Sequence, residues 1–330
     1  MQRDIPSSTD LARAAPREVF AALAAALDAR VVGQRALTTR LLVALLCDGH
    51  VLVEGVPGLA KTTAVKTLAE LLEADFHRIQ FTPDLLPADL TGTEVLRAGS
   101  GSFEFRPGPL FRNLVLADEI NRAPAKVQSA LLEAMEERQV SVGRASYPLP
   151  ALFMVMATQN PIEQDGTYAL PESQLDRFLL HVEVGYPGPQ AEHEILRLAR
   201  GSAGGEPARP IASESQVFAA RAEVIALHMA PALEQYLVEL VLATRDPAAY
   251  DEALAPLVRL GASPRATIGL DRAARAHAWL AGRDYVSPED LHAVAPDVLR
   301  HRLILSYQAR ADGVGAGEVV ARLLAKVPVP

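Results

Sequence analysis

Gly55-Val-Pro-Gly-Leu-Ala-Lys-Thr62 is the stretch that decides the fold of this chain. The apolar run His50–Glu54 precedes it and reads as a strand. Thr62–Leu72, which follows, carries apolar residues at helical spacing. A glycine-rich turn between a strand and a helix is the context a phosphate-binding loop requires. Its backbone N–H groups and the positive end of the helix then face an anion. Lys61 would reach the outer phosphates of a nucleotide, and the Thr62 hydroxyl would ligate Mg2+. The strict pattern has glycine where Ala60 stands. Alanine is tolerable there if the residue has helical dihedrals, since only a left-handed residue would cost ~1–2 kcal/mol. The bland alternative is a Gly/Pro turn before a helix with an incidental lysine.

Moving outward, Leu114-Val-Leu-Ala-Asp-Glu119 is an apolar strand ending in two carboxylates. Ligands bind at the C-terminal edge of parallel sheets, where these carboxylates would sit. Asp118 would hold Mg2+ through its water shell, and Glu119 would orient and deprotonate an attacking water. The two motifs in this order, each on a strand end, point to binding of an ATP-type nucleotide.

Three further polar positions carry weaker signals. Asn160 follows the apolar run Leu152–Ala157 and would hold the attacking water, although an Asn before Pro161 also makes an ordinary turn. Arg177, in Leu175-Asp-Arg-Phe178, suits transition-state charge on a phosphoryl group and can be supplied by a neighbouring subunit. A surface ion pair is the plainer reading. Arg265 follows Ser263-Pro264, a helix-start signature. A cation in a first helical turn opposes the macrodipole, which hints at an anionic partner such as a γ-phosphate.

The 330 residues suggest about two domains. Apolar residues make up 49% and charged residues 22%, a globular balance that excludes wholesale disorder. Aromatics are only 5%, so the core must be aliphatic. Cys47 is the one cysteine, which excludes an intramolecular disulfide and a cysteine-based zinc site. Forty acidic against 32 basic residues give a net charge of −8, a poor start for binding nucleic acid through phosphate neutralisation. Apolar runs such as Leu41–Cys47 fall far short of the ~20 residues of a membrane helix. Arg3, Asp4 and Asp10 argue against a secretory leader, so a cytoplasmic location is expected.

Short strands alternating with helices indicate a layered α/β domain over residues 1–200 with a parallel sheet. Two hairpin candidates interrupt it: Glu94–Phe105, broken by Gly99-Ser-Gly-Ser102, and Gln139–Pro148, broken by Gly143. Residues 201–212 read as a linker. The pattern over 213–330 is helical throughout, in Glu214–His228, Pro231–Thr244, Pro264–Ala281 and Pro288–Leu299, and no run there alternates like a strand.

Together these residues resemble the AAA+ ATPase superfamily and, within its helix-2-insert clade, the MoxR family. The resemblance runs from about residue 18 to 325. It rests on Val31-Val-Gly-Gln34, the loop 55–62, Ala117-Asp-Glu-Ile-Asn-Arg-Ala-Pro124, Ala157-Thr-Gln-Asn-Pro161, Leu170-Pro-Glu-Ser-Gln-Leu-Asp-Arg-Phe178 and His301-Arg302. Ala60 departs from the general phosphate-loop pattern but is usual in MoxR-like sequences. The resemblance implies a P-loop AAA+ core with a C-terminal all-α lid. It implies Val32, Gly33 and Gln34 near the adenine, and a nucleotide set of Gly55, Val56, Pro57, Gly58, Leu59, Ala60, Lys61, Thr62 and Thr63. Asp118 and Glu119 would be the Walker B pair, Asn160 the first sensor, Arg265 the second, and Arg177 the arginine finger. The hairpins would be the inserts of this clade.

The resemblance further implies ATP/ADP and Mg2+ as cofactors and a homo-oligomeric ring, usually a hexamer. It implies a protein client and a separate partner carrying a von Willebrand factor A domain. The expected activity is ATP hydrolysis driving chaperone-like assembly or activation of another protein complex, with metal-cofactor insertion as one form of that work. The alternatives are an ATP-gated switch with slow hydrolysis, and a magnesium-chelatase-like ATPase subunit. A DNA motor is disfavoured by the acidic balance and by the lack of a helix-turn-helix or zinc module.

Overall fold

The computed structural model describes residues 14–97, 102–160, 167–201 and 209–330. Most of the turn Gly99–Ser102, Pro161, residues 202–208 of the expected linker and the first 13 residues lie outside the described residues. The chain forms two compact units. One runs to Leu170 and resumes over Val182–Val217; the other comprises Pro171–His181 and Phe218–Pro330.

The first unit opens with α1 (Pro16–Arg30) and α2 (Arg35–Leu46), followed by β1 (Val51–Glu54) and α3 (Lys61–Leu71). Then come β2 (Phe76–Gln80), β3 (Gly92–Leu96), β4 (Phe103–Pro107), β5 (Leu114–Asp118) and α4 (Ala125–Glu137). It ends with β6 (Gln139–Val142), β7 (Ala145–Pro148), β8 (Met154–Gln159), the second half of β9 (Leu180–Glu183) and α5 (Pro189–Gly201). Five strands form one sheet in the order β2-β5-β8-β1-β9, and β2–β5, β5–β8 and β8–β1 pair in parallel. Val51–Val53, Leu114–Ala117 and Met154–Thr158 are buried, which is why these strands read as continuous apolar runs rather than alternating ones. Strand β2 lies at the sheet edge and alternates, with Ile79 buried between the exposed Arg78 and Gln80. The register pairs Glu54 with Gln159, Ala117 with Ala157, and Gln80 with Asp118. The C-terminal ends of β1, β8, β5 and β2 are therefore level, and the residues leaving them share one edge.

Both expected hairpins form as antiparallel pairs, β3–β4 and β6–β7, apart from the main sheet. They lean on each other: the Phe105 and Tyr147 rings stack at 3.8 Å.

The second unit contains the helical turn Glu172–Leu175, most of α6 (Glu214–Ala226), α7 (Pro231–Arg245), β10 (Val258–Leu260) and α8 (Pro264–Leu280). It continues with α9 (Pro288–Leu299), β11 (Ile304–Leu305) and α10 (Ala316–Lys326). Its centre is the packing of α8 on α9. An alanine-rich face (Ala266, Ala273, Ala274) with Gly269 admits close approach, and a Cβ on Gly269 would stand 3.2 Å from Val298. Buried Trp279 donates its indole N–H to Glu223 at 2.9 Å.

Two sequence expectations need correction. The C-terminal part is not wholly helical, because β10 and β11 pair antiparallel. Strands of three and two residues are too short to show a period of two. The chain also does not divide once near residue 200. Pro171–His181 groups with the C-terminal helices, because Ser263 and Arg302 hold Asp176 there.

Candidate nucleotide site at the sheet edge

Residues 55–60 connect β1 to α3, and their path is set at both ends. At the start, a Cβ on Gly55 would lie 2.7 Å from the Val184 carbonyl oxygen, so only glycine lets the loop leave the sheet beside this segment. At the end, Ala60 precedes α3 with φ 56° and ψ 17°. The condition of helical dihedrals under which alanine costs nothing is therefore not met. The turn demands a left-handed residue, and Ala60 bears ~1–2 kcal/mol of strain that glycine would not. No side chain caps α3. Its first backbone N–H groups are left to a ligand or solvent.

The Lys61 ammonium donates to the Gly55 carbonyl oxygen at 2.6 Å, folding back over its own loop. Burial lowers the Lys61 pKa, while the charges of Asp118, Glu119 and Glu54 oppose that shift. Lys61 is thus a half-buried cation whose field is directed at the mouth of the loop.

Across the sheet edge, the carboxylates at the end of β5 are held by several partners. Thr158, buried in β8, donates its hydroxyl to Asp118 Oδ1 at 2.5 Å and accepts the Glu119 backbone N–H at 2.8 Å. Arg78 donates Nε and Nη2 to Asp118 Oδ2 at 3.0 and 2.6 Å. Gln80 Nε2 and Arg122 Nη1 donate to Glu119 Oε2 at 2.9 and 2.8 Å. Glu119 itself is left-handed, with φ 57° and ψ 50°. Two adjoining acids, one in the ladder and one turned out of it, thus point to separate partners.

A cavity of about 370 Å3 is lined by Gly55, Pro57–Thr63, Arg78, Gln80, Asp118, Glu119, Thr158 and Asn160. The expected phosphate loop, both carboxylates and the first-sensor candidate therefore meet in one space. Its polar lining pairs cations with hard oxygen donors. Thr62 and Asp118 offer the hydroxyl and carboxylate chemistry that suits Mg2+.

The other expected residues lie outside that lining. Val56 is not among the residues that line it. Val32, Gly33 and Gln34 precede α2, and Gly33 and Gln34 meet residues 185–191. Gly33 has φ +80°, and a Cβ there would come within 2.8 Å of Ala191 Cβ; Gln34 donates to the Gly185 carbonyl oxygen at 3.0 Å. Arg177 and Arg265 belong to the second unit. There Arg265 stands 3.8 Å from Asp176, an acidic partner for the first-turn cation that sequence reasoning attributed to phosphate.

Sequence reasoning missed Arg78, Gln80, Arg122 and Thr158. The signal for the first two was present. Arg78 and Gln80 alternate with buried Ile79 and Phe81 on an edge strand whose partner ends in Asp118. Residues i and i+2 share a face, so both were bound to flank the β5 carboxylates.

Fold and site together define a P-loop ATPase with a separate lid. Residues 50–180 match the model of the ATPase family associated with various cellular activities (AAA), and 251–323 match the AAA lid domain. The chain is 50% identical over 303 residues to the chaperone MoxR1 of Mycobacterium tuberculosis, covering 91% of this chain and 79% of that protein. It is 36% identical over 327 residues to the protein MoxR of Paracoccus denitrificans, covering 93% and 95%. A solved structure from Cytophaga hutchinsonii shares 47% identity with a TM-score of 0.89, covering 96% of each chain. The chain belongs to the MoxR family of AAA+ ATPases. No helix among the described residues is long and apolar enough to cross a membrane.

Proposed function

We propose that this ATPase uses hydrolysis in the 370 Å3 cavity to remodel, assemble or activate another protein complex. The observation that carries the reading is the convergence of Lys61, Asp118, Glu119 and Asn160 on that one space. Gly55, Val56, Pro57, Gly58, Leu59 and Ala60 shape the phosphate loop, and the uncapped α3 N-terminus with Thr62 and Thr63 receives phosphate oxygens. Val32, Gly33 and Gln34 line the approach of the base. Thr62 and Asp118 would hold Mg2+, Asp118 through water, and a bound ion there would supply charge neutralisation at the phosphates. Lys61 stabilises the outer phosphates, and its lowered pKa reflects a desolvated site.

Glu119 positions and deprotonates the attacking water, and Asn160 fixes it from the neighbouring strand. Gln80 and Arg122 hold the Glu119 carboxylate in place before the water arrives. Arg265 senses the nucleotide from the lid. Arg177 acts on ATP bound by an adjacent copy, which makes turnover depend on a homo-oligomeric ring, with a hexamer as its size. The Mycobacterium relative is named a chaperone, which supports a protein client. A partner carrying a von Willebrand factor A domain and a cytoplasmic location complete the reading, and the net charge of −8 weighs against nucleic acid.

The test is a trap. Glu119→Gln, loaded with ATP and recovered from extract of the source cell, retains a client protein that a Lys61→Ala control does not. Recovery of the same proteins by both variants, or of nucleic acid alone by the ATP-loaded trap, overturns the remodelling reading.

A further inference from the structure

Arg302 is a buried cation that the nucleotide cavity does not use. Its side chain is 3% exposed. Burying a guanidinium is costly unless its donors are met, and all five find acceptors. Nε donates to Asp176 Oδ1 at 2.8 Å. Nη2 donates to the carbonyl oxygens of Asp176 and Phe178 at 3.2 and 2.7 Å. Nη1 donates to the Leu179 carbonyl at 3.1 Å and to that of Val298. Next to it, His301 Nε2 donates to the Phe178 carbonyl at 3.0 Å. The guanidinium thus grips the backbone immediately before and after Arg177 and ties it to the end of α9.

Asp176 carries the connection further. Its other oxygen, Oδ2, accepts the Ser263 hydroxyl at 2.8 Å. Ser263 in turn accepts the Arg265 N–H at 3.2 Å and caps α8. The Arg265 guanidinium stands 3.8 Å from the same Oδ2. One carboxylate therefore touches the start of the helix bearing Arg265, the buried Arg302 and, through the chain, Arg177. All of these residues belong to the second unit.

We propose that Arg302 is a positioning residue for Arg177, and that through Asp176 it fixes Arg177 and Arg265 in one rigid body, so that the lid carries both cations together. The inference rests on the reading of Arg177 as a group acting on a neighbour's ATP. A rigid hub suits that task, because a misplaced charge stabilises a transition state poorly; a shift of 1 Å can cost about 100-fold in rate. Lysine cannot replace Arg302. It has three donors on one nitrogen and cannot span four carbonyls and a carboxylate.

The experiment compares Arg302→Lys, Asp176→Asn and Arg177→Ala in the full-length protein, each alone and mixed with Glu119→Gln subunits. The Glu119→Gln chain keeps both arginines and is expected to add little turnover of its own. Arg302→Lys is expected to lower kcat roughly 10- to 100-fold with KM for ATP within about twofold. Mixing with Glu119→Gln is expected to restore part of that rate, as it does for Arg177→Ala. The double variant Arg177→Ala/Arg302→Lys is expected to be no slower than Arg177→Ala. Asp176→Asn keeps the shape of the hub and is expected to show the same rescue, which covers the case of an Arg302→Lys chain that does not fold. Rescue of Arg177→Ala with full activity of both Arg302→Lys and Asp176→Asn overturns the positioning role. So does a loss in folded Asp176→Asn that mixing does not repair. Full activity of Arg177→Ala instead overturns the reading on which the inference rests.

Discussion

Thr158 Oγ1 donates to Asp118 Oδ1 at 2.5 Å while accepting the backbone N–H of Glu119 at 2.8 Å. One buried hydroxyl thus orders both acids of the site, and it comes from the strand that also delivers Asn160. Thr158→Val keeps the volume and removes both bonds. Phosphate-release kinetics are expected to show kcat lowered roughly 10- to 100-fold, with nucleotide affinity changed far less. Denaturant unfolding is expected to lose about 1–3 kcal/mol for the unsatisfied Glu119 N–H. An unchanged kcat would remove Thr158 from the account.

Ala60 is left-handed where a Cβ is disfavoured. Ala60→Gly relieves that strain but loosens the unfolded chain, so the two effects nearly cancel, with stability within about 1 kcal/mol of the parent. The comparison is Gly58→Ala. Gly58 has φ +88° with open space around it, so its cost is conformational alone, about 1–2 kcal/mol. Thermal unfolding of the two variants should separate them, with Gly58→Ala the less stable.

His301 is buried, and desolvation first, then the charges of Arg302 and His181, hold its pKa well below the ordinary histidine value. The native state keeps it neutral while the unfolded chain takes up a proton below about pH 6.5. The unfolded state then binds more protons, so stability rises with pH through this window. Acidification from about pH 6.5 toward the lowered native pKa is expected to destabilise the protein by up to ~1.4 kcal/mol per pH unit from this group. His301→Gln should flatten that part of the pH–stability curve. An equally steep curve in the variant would place the proton elsewhere.

Gly33 packs where a Cβ would come within 2.8 Å of Ala191 Cβ and 2.9 Å of Pro187 Cβ. Gly33→Ala is expected to push residues 187–191 away. Base-discriminating assays should then show ATP affinity lowered several-fold while Lys61-dependent binding persists. Unchanged affinity would sever residues 32–34 from the base.

The sequence carried the architecture because its core strands are buried on both faces and announce themselves as apolar runs between glycine-rich or acidic ends. The meeting of the loop 55–62, Asp118, Glu119 and Asn160 at one candidate site was legible because each leaves a strand end, and the parallel register brings those ends level. The rest was hidden for identifiable reasons. Arg78 and Gln80 look like a solvated face until β2 is placed beside β5. Arg122 reaches Glu119 only because a 3-10 turn follows a left-handed residue. The conformation of Ala60 follows the path of the loop rather than the preference of alanine. The grouping of 171–181 with the helical unit depends on Arg302, more than 120 positions further on.

The proposed function has Lys61 bind ATP and Glu119 drive its hydrolysis within one cavity. The most direct measurement pairs ATP-binding calorimetry with phosphate release for the parent chain, Lys61→Ala and Glu119→Gln. The parent is expected to bind and hydrolyse, Glu119→Gln to bind while releasing phosphate at least about 100-fold more slowly, and Lys61→Ala to lose nearly all binding. Parent-like phosphate release by Glu119→Gln, or parent-like ATP binding by Lys61→Ala, would contradict it.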